Sequence, residues 1–416
     1  PQDCSASARH RCQDPGTAWC PPGQDKTAKA GLAGRMTPGL LDGKRIGLLT
    51  ASASRLVGGV FEAVVNHAAM LREHGATVFV FALEDEHSAA DAGRFDGCQL
   101  HHAPVVGPGF FGYAPALGRL LDRARLDLLH LHGIWMYPSQ AGSAWAARSG
   151  KPYVISPHGM LDPWITGRGR WKKALARLGY ERRSWHRAGA LHALTGREAA
   201  DIARESGRTD SLVIANAGPP ASMAFPEPRA PKIGYIGRIH PKKNIHALID
   251  AWSMLDSEGA LPIGAELRIA GWGDAADVAA LETRLAAAPA NVRFLGPQYG
   301  EDKARLLTQS RFIALPSHSE GLPVAILEAW AAGTPVLMSE ECNLPIGFET
   351  GAAIDTGFTP ESIAGAIRSA LALDHAEWQD MARSAIALAA GPFSAETIAR
   401  TWAEAYLGLI QAGDRT

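Results

Sequence analysis

The chain has 416 residues, 46% of them hydrophobic and 20% charged, which suits a folded protein of two or three domains and excludes fibrous or wholly disordered classes. Forty-one Lys and Arg against forty-two Asp and Glu leave a net charge of −1, so a general nucleic-acid binder is not expected. Any anion the protein recognises must be met by local charge.

Residues 1–35 are rich in Pro, Gly, Ala and Gln without periodicity and read as a disordered leader. They hold no apolar block of signal-peptide type, and Met36 opens "MTPGLLDGKRIGLLTAS", which has the look of a natural start. No run of about 18 apolar residues marks a membrane span. The expected compartment is the cytoplasm. Five scattered cysteines make a disulfide framework improbable, and the even spacing of Cys4, Cys12 and Cys20 comes with no CxxC or histidine pair to suit a metal.

From Lys44 short apolar runs alternate with helical patterns. "KRIGLLT", "ATVFVFA", "LDLLHLHG", "PYVISPHG", "ALHALT" and "LVIAN" read as strands, with "VFEAVVNHAAMLREHG" an amphipathic helix between the first two. This alternation, without hairpin signals, predicts a parallel, doubly wound sheet over 36–217. Residues 218–231 hold five prolines and read as a stiff linker. The alternation resumes over 232–390: "KIGYIG", "ELRIAG", "NVRFLG", "RFIALPS" and "PVLMSE" are strands, and "NIHALIDAWSML", "AADVAALETRLAAA", "EDKARLLTQS", "LPVAILEAWAAG" and "PESIAGAIRSALAL" are helices. Two Rossmann-like α/β domains facing a cleft are expected, with residues 391–416 forming a last helix that packs back toward the first domain. Open parallel sheets bind ligands beyond the carboxyl ends of their strands.

Three constellations sit at such ends. In "IGYIGRIHPKKN", Arg238 follows a strand directly and Lys243 precedes Asn244, a plausible helix cap, so guanidinium, ammonium and helix dipole suit a diphosphate; two solvated loop cations are the bland alternative. In "SEGLPVAILEAW", Glu320 closes a loop, Gly321 lets backbone amides approach a ligand, and Glu328 lies inside an apolar helix, where an unpaired carboxylate is costly. Both glutamates suit the vicinal hydroxyls of a sugar or ribose. His158 stands at a strand end beside Gly159, whereas His130 and His132 read as packing residues, an HxH with no identifiable third metal ligand. "EDE" at Glu84 to Glu86 reads as a solvated turn, and no placed DxD motif offers a metal site.

Taken together, "GRIHPKKN" and "SEGLPVAILEAW" resemble the family 4, or group 1, retaining glycosyltransferases of GT-B fold, whose E-x7-E signature is matched by Glu320 and Glu328. "GGV" at Gly58, "LLHLHG", "SPHGMLDPW" and "FSAETIARTWAEAY" extend the likeness beyond Met36, and "SPHGMLDPW" is similar to members that assemble bacterial surface polysaccharides. The resemblance implies a hexosyltransferase with a nucleotide-diphosphate sugar as co-substrate, UDP or GDP, no cofactor and no metal. It implies that Arg238 and Lys243 bind the donor diphosphate and stabilise its charge on departure. Glu328 would hold the donor ribose, while Glu320 and the amides of Gly321, Leu322 and Val324 face the donor sugar and phosphates. His158 would reach the transferred sugar from the other domain, and Gly58 and Gly59 would let backbone touch phosphate or acceptor. A front-face mechanism, in which the leaving phosphate takes the acceptor proton, is the family's accepted course.

The implied acceptor is a glycan or a polyprenyl-diphosphate-linked sugar. Residues 166–187, with eight Arg or Lys, the single acid Glu181 and interleaved Trp171, Tyr180 and Trp185, suit an anionic membrane surface on the inner face of the cytoplasmic membrane; a solvated cationic face is the alternative. Other readings are a GT-B phosphorylase or epimerase and a two-domain sugar-binding receptor, the last disfavoured by the missing export signal. A nicotinamide oxidoreductase would want a G-x-G-x-x-G turn that "TASASRLVGG" lacks.

Overall fold

The computed structural model describes residues 39–414 apart from 168–169, 224–226 and 228. The leader at 1–35, Met36, Cys4, Cys12 and Cys20 lie outside the described residues, as does Arg168 of the basic stretch. Seven strands form the first sheet: Arg45–Ser52 (β1), Thr77–Leu83 (β2), Gln99–Ala103 (β3), Leu128–His132 (β4), Tyr153–Ser156 (β5), Ala190–Ala193 (β6) and Leu212–Val213 (β7). Their spatial order is β3-β2-β1-β4-β5-β6-β7. Six more form the second: Lys232–Ile236 (β8), Glu266–Ala270 (β9), Val292–Gly296 (β10), Phe312–Leu315 (β11), Val336–Met338 (β12) and Ala353–Asp355 (β13), in the order β10-β9-β8-β11-β12-β13.

The strand pairings are parallel throughout the two ladders, the α/β doubly wound arrangement that the alternating pattern predicts. The order reverses between β1 and β4 in one sheet and between β8 and β11 in the other. Loops diverge at those two points, which opens a crevice at each.

Two edge strands escape the sequence reading. β3 is "QLHHA", too polar to stand out, and β13 is only three residues long. The central strands are legible because both of their faces are covered. In β2, Val78 and Val80 enter one apolar cluster while Phe79 and Phe81 enter the other, so the strand is a continuous hydrophobic run rather than an alternating one.

The helix Ala395–Gly413 joins the first sheet's core although it follows the second sheet in the chain. Phe393 still belongs to the second core, whereas Ile398, Trp402, Ala403, Tyr406 and Ile410 pack with β1, β2 and the helix Gly59–Glu73. This contact ties the end of one half into the other.

Beneath that helix lies a buried set of histidines. His130 and His132 share one face of β4 because side chains two apart in a strand point the same way. His130 Nδ1 pairs with the Tyr406 hydroxyl at 2.5 Å and its Nε2 with Ser156 Oγ at 2.6 Å. Ser156 Oγ also meets His192 Nδ1 at 2.7 Å, and His192 Nε2 reaches the Ile214 carbonyl at 2.8 Å. The Tyr406 hydroxyl meets His67 Nε2 at 3.0 Å. His67 supplies the third member that the HxH spacing lacked: one nitrogen from each of His67, His130 and His132 falls within 4.8 Å of the others. Both nitrogens of His130 are already engaged by hydroxyls, so the cluster reads as hydrogen-bonded packing.

Burial depresses these imidazoles, His67 and His192 to about 3, His158 to about 4, and His130 and His132 well below the ordinary value of 6.5. All five are uncharged in the native protein at neutral pH. Below pH 6.5 the unfolded chain takes up protons that the native chain refuses, so stability is lost as the pH falls, by up to about 1.4 kcal/mol per imidazole per pH unit. Two carboxyls raised by burial, Glu181 to about 7 and Glu198, act in the opposite sense, two groups against five. Urea melts followed by tryptophan fluorescence are therefore expected to show a steady decline in midpoint from pH 7 toward pH 4.5. A flat or rising midpoint over that window would contradict the uncharged network.

Candidate functional site

At the switch point of the second sheet, β8 ends at Ile236 and the chain passes through Gly237 to Arg238 and a short 3-10 turn, Pro241–Lys243. β11 ends one strand away and leads through Ser317 to Glu320 and then to the helix Val324–Ala331. The two loops meet. Lys243 Nζ lies 2.5 Å from Glu320 Oε1, which also accepts a hydrogen bond from Ser317 Oγ at 2.6 Å. The His318 amide donates to the Lys242 carbonyl at 2.7 Å, which holds the loops in register.

Arg238 turns instead to Asp274 at 3.0 Å, with its guanidinium 5.7 Å from the Trp272 ring centroid. Its side chain is 44% exposed and that of Asp274 71%, and such exposed pairs contribute only about 0–1 kcal/mol. A stronger anion could claim Arg238 at little cost.

Two expectations about this sheet need correction. Glu328 is not an unpaired carboxylate in an apolar helix: Lys303, from the helix Gly300–Gln309, reaches it at 2.6 Å. The stretch "EDKARLLTQS" reads in the sequence as a helix, and nothing local marks Lys303. Asn244 does not cap the following helix with its side chain. It adopts the left-handed conformation at φ 57° and donates instead to the Phe358 carbonyl at 2.8 Å, so its role is to turn the chain. Asn343, also left-handed at φ 58°, donates to the Glu320 carbonyl at 2.6 Å and fixes the loop from behind. Gly321, Leu322 and Val324 follow at the helix entry, with Pro323 as the residue before the first turn.

In the first sheet, the loop after β1 carries Gly58 and Gly59 to the start of the helix Gly59–Glu73. Gly58 has φ 53°, a conformation that favours glycine, and a side chain built at either position would meet nothing within 4 Å. The backbone there is open to a ligand. The loop is held by two aspartates, Asp91, which the sequence did not single out, and Asp85, which it placed in a solvated turn. Asp91 accepts from the Arg55 amide at 2.8 Å and pairs with its guanidinium; Asp85 accepts from Ser52 Oγ at 2.6 Å and Ser54 Oγ at 3.0 Å. Asp85 is thus no solvated turn carboxylate, although its neighbours Glu84 and Glu86 are exposed. These hydrogen bonds to Ser52, His87 and Ser54 hold its carboxyl below the usual range against the opposing pull of burial.

His158 lies beyond the end of β5 in the left-handed conformation, φ 54°, which is uncommon outside glycine although histidine adopts it more readily than most residues. Its Nε2 meets His132 Nδ1 at 2.9 Å, with the rings stacked. The adjacent Gly159 amide donates to Glu198 Oε1 at 2.6 Å, and Glu198 Oε2 accepts from the Leu194 amide at 2.8 Å. Burial raises the Glu198 carboxyl, and its two amide hydrogen bonds oppose that rise.

Neighbouring residues at the start of the helix Gly196–Ser206 link the two halves. Glu198 holds the His158 loop, while Arg197 forms an ion pair with Glu341, whose carbonyl accepts the Glu320 amide at 3.0 Å. His158 and Glu320 are thereby tied to successive positions of one helical turn. No motif in the sequence pointed to Arg197, Glu198 or Glu341, because their roles depend on contacts between distant segments.

The family model described as "Glycosyl transferase 4-like domain" matches residues 58–217, and that described as "Glycosyl transferases group 1" matches residues 230–372. Among relatives, a D-inositol 3-phosphate glycosyltransferase of Mycobacterium sp. is 34% identical over 134 residues, 31% of this chain and 30% of that protein. The chain thus matches about a third of the length of that relative. A glycogen synthase of Mycobacterium tuberculosis is 29% identical over 348 residues, 76% of this chain and 79% of that protein. Among solved structures, Anabaena HepE in complex with UDP and glucose superposes with a TM-score of 0.67 at 19% identity, covering 88% of this chain and 100% of that one. With both halves matched and the E-x7-E loop set against Lys243, the chain belongs to the group 1, or family 4, glycosyltransferases and has their GT-B fold.

Proposed function

We propose that the protein is a retaining transferase that moves a hexose from a UDP- or GDP-sugar to a hydroxyl of a glycan or lipid-linked oligosaccharide in surface polysaccharide assembly. The observation that carries this reading is the Lys243 to Glu320 contact at the switch point of the second sheet, where a parallel sheet receives its ligand. In the reaction, the bond from the anomeric carbon to the donor phosphate breaks and a bond to the acceptor oxygen forms on the same face. The acceptor proton passes to the departing phosphate oxygen. Lys243 and Arg238 stabilise the charge that accumulates there, helped by the amides of Gly321, Leu322 and Val324 at a helix start. Glu328, braced by Lys303, receives the ribose hydroxyls, and Glu320 the hexose. Gly58 and Gly59 offer backbone from the opposite sheet, and uncharged His158 meets the transferred sugar.

Hydrolysis of a panel of UDP-, GDP- and ADP-sugars tests the donor claim. One UDP- or GDP-hexose should turn over, and Lys243→Ala should lower kcat/KM for it by about 10²–10³-fold, the effect of removing one preorganised charge-stabilising donor. Turnover of none of them would end this reading. Because the chain's own cations serve the leaving group, we expect transfer to persist in excess EDTA; activity lost to EDTA and restored by Mn2+ would refute that expectation.

Membrane attachment belongs to the same proposal. No helix among the described residues is long and apolar enough to cross a membrane. The basic segment folds as helices Arg170–Ala176 and Arg182–Arg187 joined by a π turn. Its one acid, Glu181, points inward and accepts the Trp135 amide at 2.6 Å. The outer face keeps Lys172, Arg182, Arg183 and Arg187 and adds Trp171, Leu175 and Leu178, which are 66%, 62% and 73% exposed, beside Phe110 at 78%. Spacings of four and three put those three apolar residues on one helical face. Apolar side chains flanked by cations suit an anionic interface, at about 1 kcal/mol per cation. The protein should sediment with vesicles containing phosphatidylglycerol and remain in the supernatant with pure phosphatidylcholine, and Trp171→Ala with Leu178→Ser should abolish the difference.

A further inference from the structure

An apolar pocket of about 110 Å3 lies under the Gly58 loop of the first sheet. Thr50 and Ala51 at the end of β1, His132 and Gly133 at the end of β4, and Val57 and Val60 of the loop and helix border it, and Ile134 and Met160 add to its walls. It stands at the switch point between β1 and β4, on the side where His158 contacts His132. That volume is far more than the about 10–15 Å3 one water needs, and most of its wall is aliphatic. Three polar side chains border it: Thr50, whose hydroxyl donates to the Ser52 carbonyl, Ser139, whose Oγ has no hydrogen-bond partner among the described residues, and His132. His132 is 2% exposed, its Nδ1 is engaged by His158, and its Nε2 has no hydrogen-bond partner among the described residues.

We propose that this pocket receives the acetamido group of an N-acetylated amino sugar in the acceptor, an inference that rests on the glycosyltransferase reading above. The argument is one of matching chemistry. A hydroxyl could satisfy His132 Nε2 but would leave the apolar volume unfilled. The methyl of a 6-deoxy sugar would fill apolar space but leave the buried nitrogen unpaired, at a desolvation cost of about 1–3 kcal/mol. An acetamido group does both. Its methyl enters among Val57, Val60, Ile134 and Met160. Its amide presents a donor and an acceptor side by side, so either tautomer of His132 finds a partner: with Nδ1 donating to His158, Nε2 accepts the amide N–H, and with the proton on Nε2 it donates to the carbonyl. Because His132 also touches His158, this anchoring would seat the acceptor sugar next to the histidine proposed to meet the transferred sugar.

The test reads binding directly, by saturation-transfer NMR on the full chain with UDP present. The probes are the methyl glycosides of N-acetylglucosamine and N-acetylgalactosamine, their glucose and galactose counterparts, and methyl rhamnoside. For at least one epimer the acetamido methyl should be the most strongly saturated group, and affinity should exceed that of the hydroxyl counterpart by about tenfold or more, the usual worth of a small group in a fitted apolar site. Val60→Phe and Ile134→Phe, which fill the pocket from two sides, should each remove that preference, with thermal melts confirming that the variants are folded. Equal binding within both pairs, a stronger signal from rhamnoside, or a preference untouched by both fillings would overturn the proposal. The wild-type comparison decides even if neither variant folds. If a nucleotide sugar is hydrolysed but the acetamido preference is absent, this inference alone fails; if no nucleotide sugar is hydrolysed, the function reading fails.

Discussion

A lysine held against a glutamate at the point where the second sheet reverses its strand order is the contact around which the rest of the site is arranged. Lys243 and Glu320 come from loops that follow neighbouring strands, and each loop is fixed by something other than the pair itself: the His318 amide to Lys242, Asn343 to the Glu320 carbonyl, Ser317 to the Glu320 carboxylate. The glutamate side chain is 9% exposed and the lysine 21%, so neither charge is well hydrated. A largely desolvated ion pair held by its surroundings is close to balanced between attraction and dehydration. That balance suits a site in which an anionic ligand is to compete for the lysine.

The second constraint is that the two sheets must stay in register while remaining separable. Covalently they are joined by the 218–231 segment and by the return of the Ala395–Gly413 helix into the first core, where Trp402 and Tyr406 are buried. Near the site the connection is lighter, an ion pair between Arg197 and Glu341 whose side chains are 45% and 31% exposed. Exposed ion pairs contribute little. The two halves are thus held by a buried helix, whose Tyr406 meets His130, and by an exposed ion pair beside the Glu320 loop.

Much of this was legible in the sequence because the central strands are buried on both faces and leave continuous apolar runs that only a parallel sheet explains. Arg238, Lys243, Glu320 and Glu328 stand out in the sequence because they belong to motifs of fixed spacing that follow strands, Glu328 within the helix after the second. What escaped falls into two groups. Edge strands β3 and β13 carry too little apolar signal to be seen. Lys303, Glu198, Arg197, Asp85 and Asp274 matter only through partners 25 or more residues away in most cases, as with Lys303 and Glu328 at a separation of 25, and nothing about a lysine in a helical face distinguishes one that pairs with a distant glutamate from one that faces water. His67 belongs to the same group: the third histidine lies on a helix packed beside β4, and no spacing rule connects it to His130 and His132.

The electrostatics of the two halves differ in kind, and the difference follows from burial. The second sheet presents charge around its switch point, three cations and three carboxylates in the pairs Arg238–Asp274, Lys243–Glu320 and Lys303–Glu328. The first presents uncharged imidazoles, because a cluster of histidines packed this closely cannot be protonated without both dehydration and mutual repulsion. His158, in contact with His132, is in the same condition, lowered to about 4 by its own burial. An uncharged imidazole can both donate and accept a hydrogen bond, whereas an imidazolium can only donate and would attract anions. The switch point of the second sheet is thus lined by paired charges, and the corresponding end of the first by uncharged imidazoles that can donate or accept a hydrogen bond.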